Sequence, residues 1–191
     1  AGKRRHPKVS SVLLTSDRLI LRDFKMSDLS GVHRYASDPE VTRFMEWGPN
    51  TIDESRDFIR MAISFQKDKP RRHFDLAIVT KPDNCLIGGC GLYITSPHSR
   101  EAFIGYCLRK DSWGKGYATE VAKRLLAFGF KELALHRIFA TCDTDNVASA
   151  RVLEKVGMQL EGRLRENKRI SNKWRDSLLY AILEHEWKPK S

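Results

Sequence analysis

Cysteine is sparse in this chain, and none of its four copies (Cys85, Cys90, Cys107, Cys142) forms a Cys-x-x-Cys pair or stands at metal-ligand spacing from a histidine. Zinc sites and redox motifs both need such spacing, so no metal is expected. Three of the thiols sit in strand-like apolar contexts, where free cysteine behaves as a small buried hydrophobe. Neither a disulfide framework nor a covalent cysteine nucleophile is expected. Long apolar runs are missing too, since no stretch approaches the roughly 20 residues that span a bilayer. The N-terminus has the charge of a signal peptide in Lys3, Arg4, Arg5 and Lys8, but these lead only into Val12-Leu13-Leu14. That is too short an apolar segment for export, so a cytoplasmic location without a membrane partner is expected. The chain also lacks internal repeats, low-complexity segments and dividing linkers.

What is present suits one domain with a substantial core: 191 residues, 41% apolar and 30% charged. The net charge of +10 is unevenly spread. Much of it lies in residues 1 to 8, and the first acidic residue is Asp17. Residues 1–12 are read as a flexible basic tail and 13–191 as a single domain. A second cluster, Arg163, Arg165, Lys168, Arg169, Lys173 and Arg175, surrounds a turn near the C-terminus. It is either a solvated hairpin tip or a face that meets an acidic or RNA-rich partner.

Apolar periodicity gives the order of elements. Arg18 to Arg22 reads as a first strand, and Ser27-Asp28 as the cap of a helix that turns Leu29, Val32, His33 and Tyr35 inward. A second helix is expected from Asp53 to Phe65. Strands follow over 74–80 and 86–94, joined by the turn signal Pro82-Asp83-Asn84. Phe103 to Leu108 is a further strand, Ala118 to Leu133 a helix, and Arg137 to Cys142 a strand. Asn146 can cap a helix with the stripe Ala148, Val152, Leu153 and Val156, stopped by Gly157. Two strands, about 158 to 167 and 174 to 183, close a mixed α/β sheet.

The chemistry is concentrated in the segment Trp113-Gly114-Lys115-Gly116-Tyr117-Ala118-Thr119, between a strand and a helix. Glycine lets the backbone approach a ligand closely. The unpaired N–H groups of a first helical turn, with the positive end of the macrodipole, suit a pyrophosphate. Two common phosphate loops do not match. The dinucleotide fingerprint needs a third glycine where Thr119 stands, and the P-loop needs Ser or Thr after Gly-Lys, where this chain has Gly116.

Gly116-Tyr117-Ala118 after a strand resembles the acetyl-CoA loop of the GNAT N-acetyltransferases, and Trp113 at its head resembles the RimJ/RimL branch, the ribosomal-protein N-terminal acetyltransferases. Other segments are similar to that branch in the same order. They are Thr15 to Arg22 at the opening strand, Ile104-Gly105-Tyr106 at the fourth, Asn146-Val147-Ala148-Ser149 with Leu153 to Gly157 at the last helix, and Trp174-Arg175-Asp176 with Glu186-Trp187 at the end. The resemblance implies a mostly antiparallel sheet of about seven strands, splayed between the fourth and fifth, with about four flanking helices.

It also implies roles. The main-chain groups of Tyr106 and Leu108 would bond the pantetheine arm of acetyl-CoA, and the Tyr106 N–H would polarise the thioester carbonyl. Gly114, Gly116, Ala118 and Thr119, with Trp113, Lys115 and Tyr117, would hold the pyrophosphate. The Trp113 indole would pack, and Arg109, Lys110 or Lys115 could reach a phosphate. Asn146 would contact the arm as well as cap its helix. Many relatives carry a tyrosine acid seven residues after that asparagine, where this chain has Leu153; the resemblance to the RimL branch places Ser149 near the sulfur, as proton donor or hydrogen-bond partner. Glu101 and Glu46 are candidate bases, because a protein α-amine with a pKa of about 8 needs only modest help.

The implied acceptor is a protein N-terminal amine, possession of a ribosomal or other protein. Two alternatives stay open: a small amine such as an amino acid, polyamine or antibiotic, and a non-catalytic ribosome- or RNA-binding module. No specific nucleic-acid partner is expected, since only Trp174 stands among the C-terminal cations as a stacking residue. A homodimer is compatible with the resemblance.

Overall fold

The computed structural model describes residues 11–188. Most of the basic tail expected over residues 1–12 lies outside them. Val12 does not belong to such a tail, because it is buried at 4% exposure and its N–H donates to Asp23.

Eight strands form one sheet in the order β1-β2-β3-β4-β5-β6-β8-β7. They are β1 (Leu13–Thr15), β2 (Leu19–Asp23), β3 (His73–Thr80), β4 (Leu86–Ser96), β5 (Glu101–Leu108), β6 (Arg137–Asp143), β7 (Gln159–Ile170) and β8 (Lys173–Leu183). One more strand is present than the sequence pattern indicates. The extra one is the short β1, which pairs antiparallel with β2 from Leu13↔Arg22 to Thr15↔Ile20. Its alternation is only three residues long, with Leu14 buried between exposed neighbours, too short to register as a period. Every neighbouring pair is antiparallel except β5 with β6.

The helices α1 (Leu29–Ala36) and α2 (Ile52–Phe65) cover one face, and α3 (Tyr117–Ala127) and α4 (Val147–Lys155) the other. The central strand β3 is buried on both sides. Phe74, Leu76 and Ile78 meet Val121, Leu125 and Leu153 of α3 and α4, while Ala77 and Val79 meet Val32, Tyr35 and Ile59 of α1 and α2. Its continuous apolar run follows from that placement.

Local chemistry sets the helix ends. Thr51 and Glu54 close a reciprocal capping box on α2. Asn146 caps α4, and Gly157 at φ +92° follows its end. The cap expected from Ser27-Asp28 takes a different form. A short 3-10 turn, Met26–Asp28, precedes α1, and the Asp28 carboxylate accepts the Lys25 N–H and both ends of the Arg22 guanidinium at 2.8 Å. The third helix is also shorter than expected, giving way to a wider π turn over Phe128–Glu132.

Candidate active site

The sheet opens where β5 and β6 part. Their parallel pairing covers only Glu101↔Arg137, Ala102↔Ile138 and Phe103↔Phe139, although both strands run on to Leu108 and Asp143. Each follows its antiparallel partner instead. β5 stays with β4 as far as Leu108↔Gly88, and β6 stays with β8 as far as Asp143↔Ser177. The Arg109 N–H bonds to the Ile87 carbonyl at 2.8 Å, which fixes the phase of the β4–β5 ladder. Residues 105 and 107 therefore turn their main-chain groups toward β4, and Tyr106 and Leu108 turn theirs into the splay. An extended, amide-bearing arm can add there like a strand. One acceptor is already engaged, because the Trp113 indole N–H donates to the Leu108 carbonyl at 2.9 Å. The indole does not merely pack; it ties the loop to the strand end.

At the mouth of the splay, the backbone of the glycine loop is left-handed at Gly114 (φ +71°) and Gly116 (φ +79°). α3 starts at Tyr117 with Gly116 as its cap and no side chain bonded there. The first bond of the helix comes from the Glu120 N–H to the Gly116 carbonyl at 3.2 Å. The N–H groups of Tyr117, Ala118 and Thr119 thus have no partner among the described residues and stand at the positive end of the helix, as an anion site requires.

The acid in that turn, Glu120, is held out of the site. Its carboxylate accepts the Ser16 hydroxyl at 2.7 Å and the Arg18 N–H and Nε at 2.8 Å. Burial pushes its pKa up, but these bonds outweigh burial and hold it below the usual carboxylate range. Arg18 also donates to the Lys115 carbonyl at 2.9 Å and lies over the Tyr117 ring at 4.5 Å. Ser16, Arg18 and Glu120 form a clamp that sequence reasoning missed, since nothing local to positions 16 to 18 points to a helix a hundred residues away.

On the far side of the splay, the Asn146 side-chain oxygen accepts the Ser149 N–H at 3.2 Å, which leaves its amide NH2 for a ligand. The Ser149 hydroxyl lies 3.1 Å from the Tyr106 hydroxyl and joins α4 to β5 across the opening. Burial pushes the Tyr106 phenol up to about 12, with the Ser149 bond working against that rise, so it stays protonated at neutral pH. Leu153, where many relatives carry a tyrosine acid, is a buried core residue.

Several expected groups lie elsewhere. Glu101 sits at the closed end of the splay, bonded to Arg137 Nε and the Thr95 hydroxyl at 3.0 Å. It is five residues from Tyr106, about 16 Å along a strand, and its carboxylate joins β5 to Arg137 of β6. Glu46 is exposed beside Lys168 Nζ at 3.6 Å. Arg109 is bound to Asp111 and to the Leu86 carbonyl, and Lys110 pairs with Glu40 at 2.7 Å. Lys115 stays exposed on the loop.

A family profile described as "Acetyltransferase (GNAT) domain" matches residues 18–159. The chain is 35% identical over 175 residues to an uncharacterized N-acetyltransferase, YnaD, of Bacillus subtilis, covering 91% of this chain and 98% of that one. A GNAT-family acetyltransferase structure from Bacillus anthracis superposes with a TM-score of 0.80 at 33% identity, covering 91% and 99% of the two chains. Mycobacterium smegmatis RimJ in complex with CoA-disulfide gives a TM-score of 0.82 at 25% identity, over 98% and 93%. The chain belongs to the GNAT N-acetyltransferases, and its likeness to RimJ is consistent with a RimJ/RimL-like branch.

Proposed function

We propose that this protein transfers the acetyl group of acetyl-CoA to the α-amine of a protein N-terminus by direct attack on the thioester. The observation that carries the reading is the geometry of the splay. The Tyr106 N–H points into it, and the Tyr106 and Ser149 hydroxyls stand 3.1 Å apart at its edge. A fixed N–H stabilises the carbonyl oxygen as charge develops. The paired hydroxyls can pass a proton to the departing sulfur. The free N–H groups of Tyr117, Ala118 and Thr119 would bind the pyrophosphate, and the Asn146 amide the arm.

The acceptor class is supported by the lining of a cleft of about 280 Å³ between the α1–α2 segment and the β7–β8 tip. Arg43 and Arg169 line it against the single acid Glu46, with Thr42, Met45 and Ile170. A polyamine needs excess negative charge, which this lining does not supply. A peptide with an acidic residue near its N-terminus meets the two arginines favourably. The C-terminal cations are also less available to nucleic acid than their number suggests. Arg163 pairs with Asp176, Lys168 with Glu46, and Arg175 with Asp143 and Asp145.

The test is thiol release from acetyl-CoA with alanyl and seryl peptides, acidic or basic at the second residue, against spermidine and free amino acids. Acidic peptides should turn over fastest, and acetyl-CoA alone should raise the melting temperature by mass action. Faster turnover of spermidine would overturn the acceptor class. Absence of a melting shift at saturating acetyl-CoA would overturn the donor site.

A further inference from the structure

The strand β7 does not follow its partner evenly. Between Leu164↔Ser177 and Lys168↔Arg175 it carries three residues, Arg165 to Asn167, against the single Asp176 of β8. The excess folds out through a left-handed backbone at Glu166 (φ +49°), whose N–H donates to Asp176 Oδ1 at 2.8 Å. Bulges re-aim the side chains beside them, and this one sets Lys168. Residues opposite each other in an antiparallel ladder share a face. Lys168 therefore stands on the face of Arg175 and, through Ser177, of Asp143. The pairing Phe103↔Phe139 puts Gly105 and Cys107 on that face as well, and Cys107 packs with α1 and α2. Tyr106 and Ser149 meet on the other face. The charge of Lys168 favours the ionised forms of both Asp143 and Cys142, which places it at the open end of β6.

Lys168 has no close partner there. Asp143 is already held by the Arg175 Nε and Nη2 at 2.9 and 2.6 Å and by the Asp145 N–H at 2.9 Å. Glu46, in the segment between α1 and α2, lies 3.6 Å from Lys168 Nζ, well beyond the roughly 2.8 Å of a charge-assisted hydrogen bond. Lys110 and Glu40, by contrast, close to 2.7 Å. The Lys168 side chain is 21% exposed and that of Glu46 54%, so a largely covered cation meets a carboxylate that water reaches. Glu46 also lines the acceptor cleft together with Arg43 and Arg169. Neither arginine has an acid partner among the described residues; Arg43 lies over the Phe44 ring at 5.0 Å and Arg169 over the Trp174 ring at 5.8 Å. Three cations thus share one loosely held carboxylate.

We propose that Lys168 selects the acceptor by its acidic side chain, and that Glu46 is a built-in stand-in for that side chain, displaced when the acceptor enters. This inference rests on the peptide reading of the cleft and adds to it the group that reads the charge and the group that competes for it. The acceptor's amine must come to the splay from the α1–α2 side, because Ser149 and α4 close the other. The residue after the amine follows at about 3.8 Å, so its side chain is still beside β6 when the amine is in the splay. Displacing Glu46 costs little, since an exposed pair at that separation contributes little. The incoming carboxylate gains a closer bond to a cation that water reaches poorly. A neutral side chain leaves Glu46 in place, and a basic one adds a like charge to three others.

The experiment measures kcat/KM by thiol release for the peptides Ala-Asp-Ala and Ala-Asn-Ala, which differ by one charge, and follows their ratio from the parent protein to its variants. A change that merely loosens the fold moves both peptides and leaves the ratio. Lys168→Met should lower the ratio about tenfold, and Lys168→Arg should retain most of it. Glu46→Gln should raise the ratio about threefold, because the competitor for Lys168 is gone. In the double variant that gain should vanish, since Glu46 competes through Lys168. An unmoved ratio in Lys168→Met, a ratio that Glu46→Gln lowers or leaves alone, or a gain that persists without Lys168 would each overturn the assignment. The acceptor reading is judged on the parent alone. Faster turnover of spermidine than of Ala-Asp-Ala defeats that reading, whereas an acid preference that survives Lys168→Met defeats only the role of Lys168.

Discussion

Ser149 illustrates how one side chain can serve the fold and the reaction at once. Its N–H completes the Asn146 cap, while its hydroxyl meets Tyr106 across the splay. Ser149→Ala keeps the first bond and removes the second. It should therefore cut kcat by about tenfold or more while the acetyl-CoA KM moves less than about threefold. Steady-state kinetics at saturating acceptor would show this, and an unchanged kcat would remove Ser149 from the reaction. Asp75 is the opposite case, a residue whose presence costs stability. Burial raises its pKa in the folded protein, so the folded state loses stability as pH rises through the range between its unfolded and folded values. Asp75→Asn retains an acceptor for the Tyr93 hydroxyl and removes the charge. Its melting temperature should exceed the parent's at neutral pH, and the gain should fade as pH drops into the carboxylate range. A lower melting temperature at neutral pH would contradict this account.

The strand–loop–helix unit from β5 to α3 depends on its glycines more for conformation than for space. A Cβ at Gly116 would meet only the Arg18 Nη2 at 3.5 Å, but its φ of +79° is left-handed. A side chain there costs about 1–2 kcal/mol, which the fold survives. Gly116→Glu should thus lower the melting temperature by a few degrees and abolish the shift produced by acetyl-CoA, since a carboxylate would face the pyrophosphate. A retained shift would mean that the loop is not the phosphate site. This loop was legible in the sequence because its parts are contiguous, as were the Asn146 cap and the strands on either side. Contacts made by folding were not. Glu120 meets Ser16 and Arg18 through the packing of α3 against β2, and Tyr106 meets Ser149 through the splay. The pairing of Glu101 with Arg137 arises only through the parallel ladder, which no local pattern announces.

Across the whole molecule, distant segments are fastened by carboxylates whose pKa the fold depresses. Asp28 joins the start of α1 to Arg22 of β2, Glu120 joins α3 to Arg18, and Asp143 joins the end of β6 to Arg175 of β8. In each case burial pushes the carboxyl up, and the hydrogen bonds it accepts outweigh burial and bring it below the usual range. A depressed folded pKa contributes stability that is present above the unfolded value and is lost as pH falls through the folded one. The melting temperature should therefore be nearly level from neutrality to about pH 5 and fall steeply below it. The Asp143 side chain is only 2% exposed, so removing Arg175 leaves a buried charge held by little more than the Asp145 N–H at 2.9 Å. Arg175→Ala should lower the melting temperature at neutral pH and flatten the acid limb, because protonating Asp143 then relieves a cost instead of breaking a bond. The general repulsion that grows as a chain of net charge +10 is acidified acts on parent and variant nearly alike, so it cancels in the comparison. Equal acid slopes in the two proteins would show that the Asp143–Arg175 pair contributes nothing to the closing of β6 on β8.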